Sequence, residues 1–402
     1  MNNVAVIGGG ASGLLAAISA AQCGAYVTVY ESGARVGRKI LATGNGRCNM
    51  TNMNASAHRY HGTDVSFVRG AEENFWVEET LGFFLSLGVM TKTEQDGRVY
   101  PYSDQASSVL DALRLKLDAL GVRVVTNYEV KSVKRKNNRF TIIPYKGESE
   151  TADAVIVATG GRAAPDLGSK GGGYDILKGL GHTVTNTGPS LVQLKTETET
   201  VKKLKGIKIT ATASIDGARE KGEILFTDYG LSGIAIFSLT AYLDKQKTVS
   251  LDVMDCMDKT ELIKVLTERT NLMADVPLES YFTGMLNKRV GQALLKSAGI
   301  IPLSRPSNTL TETEIKRLAD VMKNWEFKIE GTMSWNNAQT TKGGALTREF
   351  NAATMESKIV SGLYASGEVL DIDGDCGGYN LQWAWSSGYI AGKYAAMRKE
   401  RK

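Results

Sequence analysis

The feature that most limits what this chain can become is its first thirty-one residues, which run strand, glycine turn, helix, strand, acid. Residues 4–7 form a short apolar stretch. Gly8-Gly9-Gly10-Ala11-Ser12-Gly13 follows, with Gly8, Gly10 and Gly13 in a G-x-G-x-x-G frame that opens an Ala- and Leu-rich helix to about Cys23. A second strand over 26–30 ends on Glu31.

Each piece answers a physical need. Gly8 permits a tight turn, Gly10 lets the backbone approach a pyrophosphate, and Gly13 lets the helix lie close to the strand. The helix start offers unpaired N–H groups and the positive end of the helix dipole. Glu31 is placed to accept hydrogen bonds from ribose hydroxyls and disfavours a 2′-phosphate. The glycine frame alone could be an ordinary turn, but its strand–helix–strand–acid context predicts an adenine dinucleotide.

At 402 residues the chain is long enough for two or three domains, and 42% hydrophobic with 23% charged residues is ordinary for a globular enzyme. No apolar run reaches the ~18 residues of a membrane span. The N-terminus enters a strand without a basic leader, so a cytoplasmic protein with no integral membrane segment is expected. The net charge of +5 is not concentrated in a run, which argues against nucleic acid as a partner. Arg398, Lys399, Arg401 and Lys402 suit a solvated helix end. Cys23, Cys48, Cys256 and Cys376 are far apart, and His58, His61 and His182 lack ligand spacing. Neither a disulfide framework nor a metal is expected.

Further along, residues 35–52, with three glycines and four basic side chains, predict an ordered loop. Helical character is expected over 64–87, 106–120 and 174–180, and strands over 97–102, 122–126, 129–134, 140–144 and 152–158. Lys136-Asn137-Asn138 marks a hairpin. The second glycine cluster, 168–173, has no apolar strand leading into it, so it is read as a loop facing a ligand rather than a second dinucleotide fingerprint. From about 191 the texture changes to Lys- and Thr-rich strands (192–195, 207–215, 223–227, 248–253), then to helices between 259 and 323. Strands return at 327–333, 341–346 and 362–366 before a final helix over 379–398. The simplest organisation is α/β: a Rossmann-like domain over 1–190 and 341–402, interrupted by a β domain (191–255, with return strands near 326–340) and a helical subdomain (256–325).

Three stretches end a strand on a glycine-bearing turn: Ile7-Gly8, Ala158-Thr159-Gly160 and Ala365-Ser366-Gly367-Glu368. An extended flavin dinucleotide touches several such turns at one sheet edge, which favours FAD over NAD. The segments GRKILATGNGRCNMTN (37–52), GEILFTDYGLSG (222–233), TKGGAL (341–346) and GLYASGEVLDIDGDCGGYNLQWAWSSGYIAG (362–392) resemble the signature blocks of one family. These are the bacterial flavoproteins that include aminoacetone oxidases and 3-dehydro-bile-acid delta(4,6)-reductases. The blocks occur in the family's order along essentially the whole chain. The resemblance implies a glutathione-reductase-type FAD domain with a β-barrel-like and helical insert.

Residue by residue, the resemblance puts Gly8, Gly10, Ala11, Ser12 and Gly13 on the pyrophosphate and Glu31 on the ribose. Arg38, Lys39, Gly46, Arg47, Cys48 and Asn49 would run along the flavin and its phosphates, and Val130, Ala158, Thr159 and Gly160 would lie near the cofactor. Gly367, Glu368 and Asp371 would meet the ribityl and phosphate region, with a turn cap as Asp371's other reading. Gly378, Tyr379, Asn380 and Leu381 would sit at the flavin pyrimidine edge, where a helix start aims N–H groups at developing negative charge. Cys376 stands where a threonine is expected, so its two readings are a redox pair with Cys48 and one of two unrelated thiols.

The resemblance implies reduction of a conjugated C=C in a 3-oxo steroid or bile-acid-like small molecule, with NAD(P)H as transient electron donor. The alternatives are oxidation of a small amine such as aminoacetone by O2, and a flavin-bearing module whose helical insert acts on a protein or nucleic acid. Protonating the second carbon requires an acid. Tyr229, Tyr100, Tyr102 and Tyr379 are candidates, each with a packing role as its bland reading, and Arg47 could orient a carboxylate.

Overall fold

In a computed structural model that describes residues 1–243 and 247–398, the chain divides into two compact units, Met1–Ser190 with Ser334–Lys402, and Leu191–Met333. The first unit is organised by a five-stranded sheet. Its strands are β1 (Asn3–Ile7), β2 (Tyr26–Tyr30), β3 (Arg123–Val125), β4 (Ala154–Val157) and β5 (Leu363–Ala365), in the spatial order β5-β4-β1-β2-β3 and all parallel. β1 and β4 are almost wholly buried, as their unbroken apolar sequences require of strands covered on both faces. Because every strand runs the same way, residues about 200 positions apart deliver their carboxyl ends to one edge.

Two helices cover the centre of this sheet, α1 (Ala11–Gln22) and α2 (Tyr379–Met397). Their crossing is close because α2 presents glycines to the backbone of α1. A Cβ on Gly388 would lie 2.3 Å from the carbonyl oxygen of Ser12, and one on Gly392 would lie 2.1 Å from that of Ala16. The two helices are therefore locked side by side, with Ser12 at the start of α1 against Gly388 in the middle of α2.

Most periodic segments form the expected elements, including the hairpin of Val130–Lys136 and Arg139–Pro144. Four expectations need correction. Residues 35–52 are not all loop: Gly37, at φ 74°, starts a helix over Arg38–Ala42, followed by a 3-10 turn (Thr43–Gly46) and the strand Thr51–Asn52. The expected helical stretch 64–87 is broken into Val65–Val68, Arg69–Glu72 and Val77–Ser86, because Trp76 is extended and its N–H bonds the Glu79 side chain. The helix after the second glycine cluster begins inside it, at Gly172. At the chain end, Arg398 donates to the Asp153 carbonyl rather than standing in solvent, and residues 399–402 lie outside those described.

The second unit contains a closed six-stranded barrel. Its order is Leu194–Thr196, Gly230–Ser232, Ala218–Phe226, Lys208–Ile215, Thr248–Asp252 and Trp325–Thr332. Closure leaves no exposed sheet edge, and Phe226, Trp325 and Phe327 pack against one another. Helices Lys259–Leu272, Lys288–Ser297 and Glu312–Lys323 accompany it. The first and last are started by capping boxes, Asp258 with Glu261 and Thr311 with Glu314.

Candidate active site

The edge where β1, β2, β4 and β5 end carries most of the residues singled out above, all from the first unit. Gly8 has φ +107°, its N–H bonds the Tyr30 carbonyl at 2.8 Å, and a Cβ on it would stand 2.5 Å from the Ala158 carbonyl oxygen. Gly13 is tighter still, with a Cβ position 1.9 Å from the Gly8 oxygen. Gly10 differs: its φ of −85° suits any residue, and nothing lies within 4 Å of its Cβ position. Two glycines are thus required by the protein's own packing, whereas the third faces open space at the start of α1. Neither α1 nor α2 has a side-chain cap, so the first N–H groups at Ala11, Ser12 and Gly13, and at Tyr379, Asn380 and Leu381, lack intrahelical partners.

Glu31 is anchored before any ligand arrives. Its carboxylate accepts N–H bonds from Gly9 (2.8 Å) and Gly33 (2.6 Å), which leaves lone pairs for ribose hydroxyls. Its own carbonyl accepts the N–H of Tyr128, whose ring packs 4.7 Å from that of Tyr30, and buried Val130 begins the next strand. At the other end, Lys39 pairs with Glu368 at 2.8 Å, and Glu368 also accepts the Thr341 N–H at 2.8 Å. Ser12 Oγ leans on the Ser366 carbonyl, 3.4 Å away, and Gly367, at φ +74°, has room for no Cβ beside Ser12 Oγ. Ala158 continues the β4 ladder, its N–H on the Ile7 carbonyl, into Thr159 and Gly160. Gly160 and Gly46 are left-handed (φ +70° and +84°).

The fit of this edge to a dinucleotide is testable on its buried polar atoms. Asn49 Oδ1, Ser366 Oγ and Tyr174 Oη are buried without a hydrogen-bond partner among the described residues. Such groups cost about 1–3 kcal/mol each when left unpaired. Together with the two helix starts and the open Gly10, they match a long, polar, anionic ligand such as FAD.

Several sequence candidates are otherwise employed. Arg47 stacks on the Tyr100 ring (3.8 Å to the centroid) and bonds Asp104 (2.8 Å) and Glu94 (2.7 Å), so its Nε and Nη2 are engaged. Lys92 completes this ionic cluster at Asp104, whose carboxyl Lys92 and Arg47 hold below the usual range. Tyr100 is a packing platform, and burial raises its pKa, as it does that of Tyr379, making both poorer acids. Tyr102 is exposed, near Lys92. Arg38 reaches the Asp166 carbonyl at 2.8 Å. Asp371 accepts from the N–H and hydroxyl of Thr63, which is the turn-cap alternative. The Asn380 side chain bonds the Gly374 N–H (2.8 Å) and carbonyl (2.7 Å), holding that turn rather than pointing at a ligand. Tyr229 belongs to the second unit, half-buried, its carbonyl accepting the Thr196 N–H.

Burial pushes the Cys48 thiol up to about 12, which keeps it protonated and unreactive. A Cys48–Cys376 redox pair is therefore disfavoured.

The sequence reading missed the polar face of α2. Gln382 is wholly buried, accepts from Thr51 Oγ1 (2.5 Å) and donates to Thr80 (2.9 Å) and Ser386 (2.8 Å). Trp383 Nε1 bonds the Gly367 carbonyl, Trp385 Nε1 the Met50 carbonyl, and Ser387 Oγ accepts the Gly367 N–H. These bonds pin two ligand-edge loops to one helix. The signal was available as polar residues recurring within an otherwise buried helix.

The chain matches the family model described as "HI0933-like protein Rossmann domain" over residues 2–394. It belongs to that family. It is an FAD-dependent oxidoreductase, and the parallel edge above is its Rossmann-type FAD-binding fold. Among its relatives, a 3-dehydro-bile acid delta(4,6)-reductase of Clostridium scindens is 39% identical, covering 99% of this chain and 100% of the relative. A ribosomal RNA dihydrouridine synthase of Haemophilus influenzae is 32% identical over 96% of each chain. The protein of that name from Escherichia coli is 30% identical over 96% of this chain and 95% of its own.

Proposed function

We propose that this oxidoreductase reduces a C=C bond conjugated to a carbonyl in a 3-oxo steroid or bile-acid-like small molecule, with NAD(P)H as the electron donor to bound FAD. The observation that carries this reading is the 39% identity, over the full length, to the bile-acid delta(4,6)-reductase. The other two relatives support the reaction type, because a dihydrouridine is a pyrimidine whose carbonyl-conjugated C=C has been saturated.

In this reading Gly8, Gly10, Ser12 and Gly13 present the diphosphate with backbone N–H groups, and Glu31 takes the ribose. Lys39, Asn49, Thr159, Gly160, Gly367 and Glu368 line the rest of the cofactor. The first turn of α2, Tyr379 to Leu381, faces the pyrimidine edge and stabilises negative charge there by ~1 kcal/mol or more. Bound FAD supplies hydride transfer. Asp371 and Asn380 act by holding the 62–63 and 374–375 turns.

A second reading, a pyrimidine within ribosomal RNA, is favoured by the two synthase relatives. Against it, residues 191–333 carry 20 Lys and Arg against 19 Asp and Glu. Binding an RNA backbone calls for a marked positive excess. Anaerobic stopped-flow absorbance separates the possibilities. Rapid bleaching of the flavin by NAD(P)H, reversed by 4-androstene-3,17-dione, is expected; bleaching only by aminoacetone, with recovery in O2, would mark an amine oxidase instead.

A further inference from the structure

Just before α2, the two-residue strand Asp373–Gly374 pairs antiparallel with Tyr60–His61, and Asp373 stands directly opposite His61. Residues opposite one another in such a pair share a face, and so does the residue two positions on, here Asp375. The side chains agree: His61 Nε2 lies 2.7 Å from Asp375 Oδ1, and Arg59 reaches Asp375 Oδ2 at 3.4 Å. Exposure falls along this line, from 47% for the Arg59 side chain to 14% for His61 and 5% for Asp375. Asp373 is wholly buried.

Asp373 is unusual among the carboxylates. Ser190 Oγ donates to its Oδ2 at 3.0 Å, while Oδ1 is buried without a partner among the described residues. Thr340, directly across the strand pair from Ser190, also has a hydroxyl oxygen buried without a partner among the described residues. A fully ionised carboxylate in such a place would be left half-satisfied.

We propose that Asp373 stores a proton inside the fold and that His61, oriented by Asp375, refills it from the solvent edge at Arg59, so that the pair supplies the proton for the reduction. This inference rests on the function proposed above. In the reaction, one carbon of the C=C gains a hydride that originates from the dihydronicotinamide donor, and the other gains a proton. The C=C π bond breaks and two C–H bonds form. Asp373 becomes carboxylate when its proton leaves and is neutral again after exchange through His61. Asp373 and His61 are positioning and relay residues.

Electrostatics agree with the geometry. Burial raises the Asp373 carboxyl to about 7, with nearby Asp371 also raising it, while His61, Ser190 and Lys342 oppose the shift. Those groups come from Tyr60–His61, Gly188–Ser190, Thr340–Lys342 and its own segment, while α2, packed on the same strand, brings Tyr379 and the Gly172–Gly179 helix brings Tyr174. A group poised there is matched to proton transfer near neutral pH.

The test uses the FAD-loaded protein and three variants, Asp373→Asn, His61→Gln and Ser190→Ala. Infrared difference spectroscopy across pH 5–9 should show a protonated carboxyl band that titrates near 7 and is missing in D373N. S190A, which loses the hydrogen bond favouring the ionised form, should move that titration upward. Reduction of the flavin by the nicotinamide should be unchanged in D373N. Its reoxidation by 4-androstene-3,17-dione should slow about tenfold or more and lose the pH dependence seen in the wild type, and H61Q should slow repeated turnover more than the first. No titrating band assignable to Asp373, or a D373N reoxidation profile like that of the wild type, overturns the proposal. If the wild type shows the band but is never reoxidised by the enone, the reduction reading fails and with it the use assigned to the proton, while the protonated Asp373 itself is established.

Discussion

The three glycines of the first turn differ in what surrounds them, and that difference separates folding from cofactor binding. In Gly13→Ala the new methyl would stand 1.9 Å from the backbone oxygen of Gly8. Ordinary contact begins near 3.4 Å, so α1 and the β1 turn would have to part by more than 1 Å. Neither atom is on a flexible side chain, and a cost of about 4 kcal/mol or more is expected. In Gly10→Ala the methyl meets nothing within 4 Å and φ is −85°. The loss of a tolerated N-cap glycine and the gain from a stiffer unfolded chain roughly cancel, leaving the FAD-free protein within about 1 kcal/mol of the wild type. The methyl, however, fills the space a diphosphate would use and holds it off the N–H groups, losing a charge-assisted hydrogen bond worth about 2 kcal/mol, or about 30-fold in affinity. Thermal unfolding of the FAD-free proteins and fluorescence titration with FAD check both halves. If G10A unfolds along with G13A, or binds FAD as tightly as the wild type, the assignment of Gly10 to the ligand is wrong.

Other outcomes follow from the same structure. Gln382→Ala leaves Thr51 and Thr80 without their buried partner and should destabilise the protein by about 2–4 kcal/mol in urea unfolding, more than a surface substitution. Thiol titration of the native protein at pH 8 should modify exposed Cys23 and Cys256 quickly and leave Cys48 untouched, with no oxidant-dependent loss of a Cys48–Cys376 pair. Burial holds the His182 imidazole below its ordinary 6.5 despite Glu349, so the fold prefers it neutral. The stability it contributes is present above pH 6.5 and is lost as pH falls below that value; His182→Gln should flatten this limb of the pH–stability curve. For Asp373 the sign is opposite: its raised pKa favours the fold below pH 4, and that contribution is lost as pH rises to about 7.

Much of this was legible in the chain. Strand, turn and helix at the N-terminus follow from period and glycine placement, and they are found where those signals put them. The edge built from Ile7, Ala158 and Ser366 was readable because each strand ends on a glycine-bearing turn. What sequence could not give is which side chains are already engaged. Arg47 looks like a ligand-binding arginine until Glu94 and Asp104 are found at its fork, brought there by folding from about 50 residues away. Asp371 looks like a ribityl ligand until Thr63 occupies it. Gln382 and Asp373 were overlooked for the converse reason: nothing local reveals that they are buried, and burial alone makes them consequential. The helix inside 35–52 was hidden because its left-handed start at Gly37 reads as a loop signal.

FAD held at the parallel edge of the first unit is proposed to deliver hydride to a carbonyl-conjugated C=C. This delivery is tested most directly by a single anaerobic turnover. The FAD-loaded protein, reduced stoichiometrically by dithionite, is mixed with one equivalent of 4-androstene-3,17-dione and the steroid is analysed by mass spectrometry. The account predicts reoxidised flavin and an equal amount of steroid carrying two more hydrogens, both drawn from solvent because dithionite supplies only electrons. Flavin that stays reduced, with the steroid recovered unchanged, would contradict it.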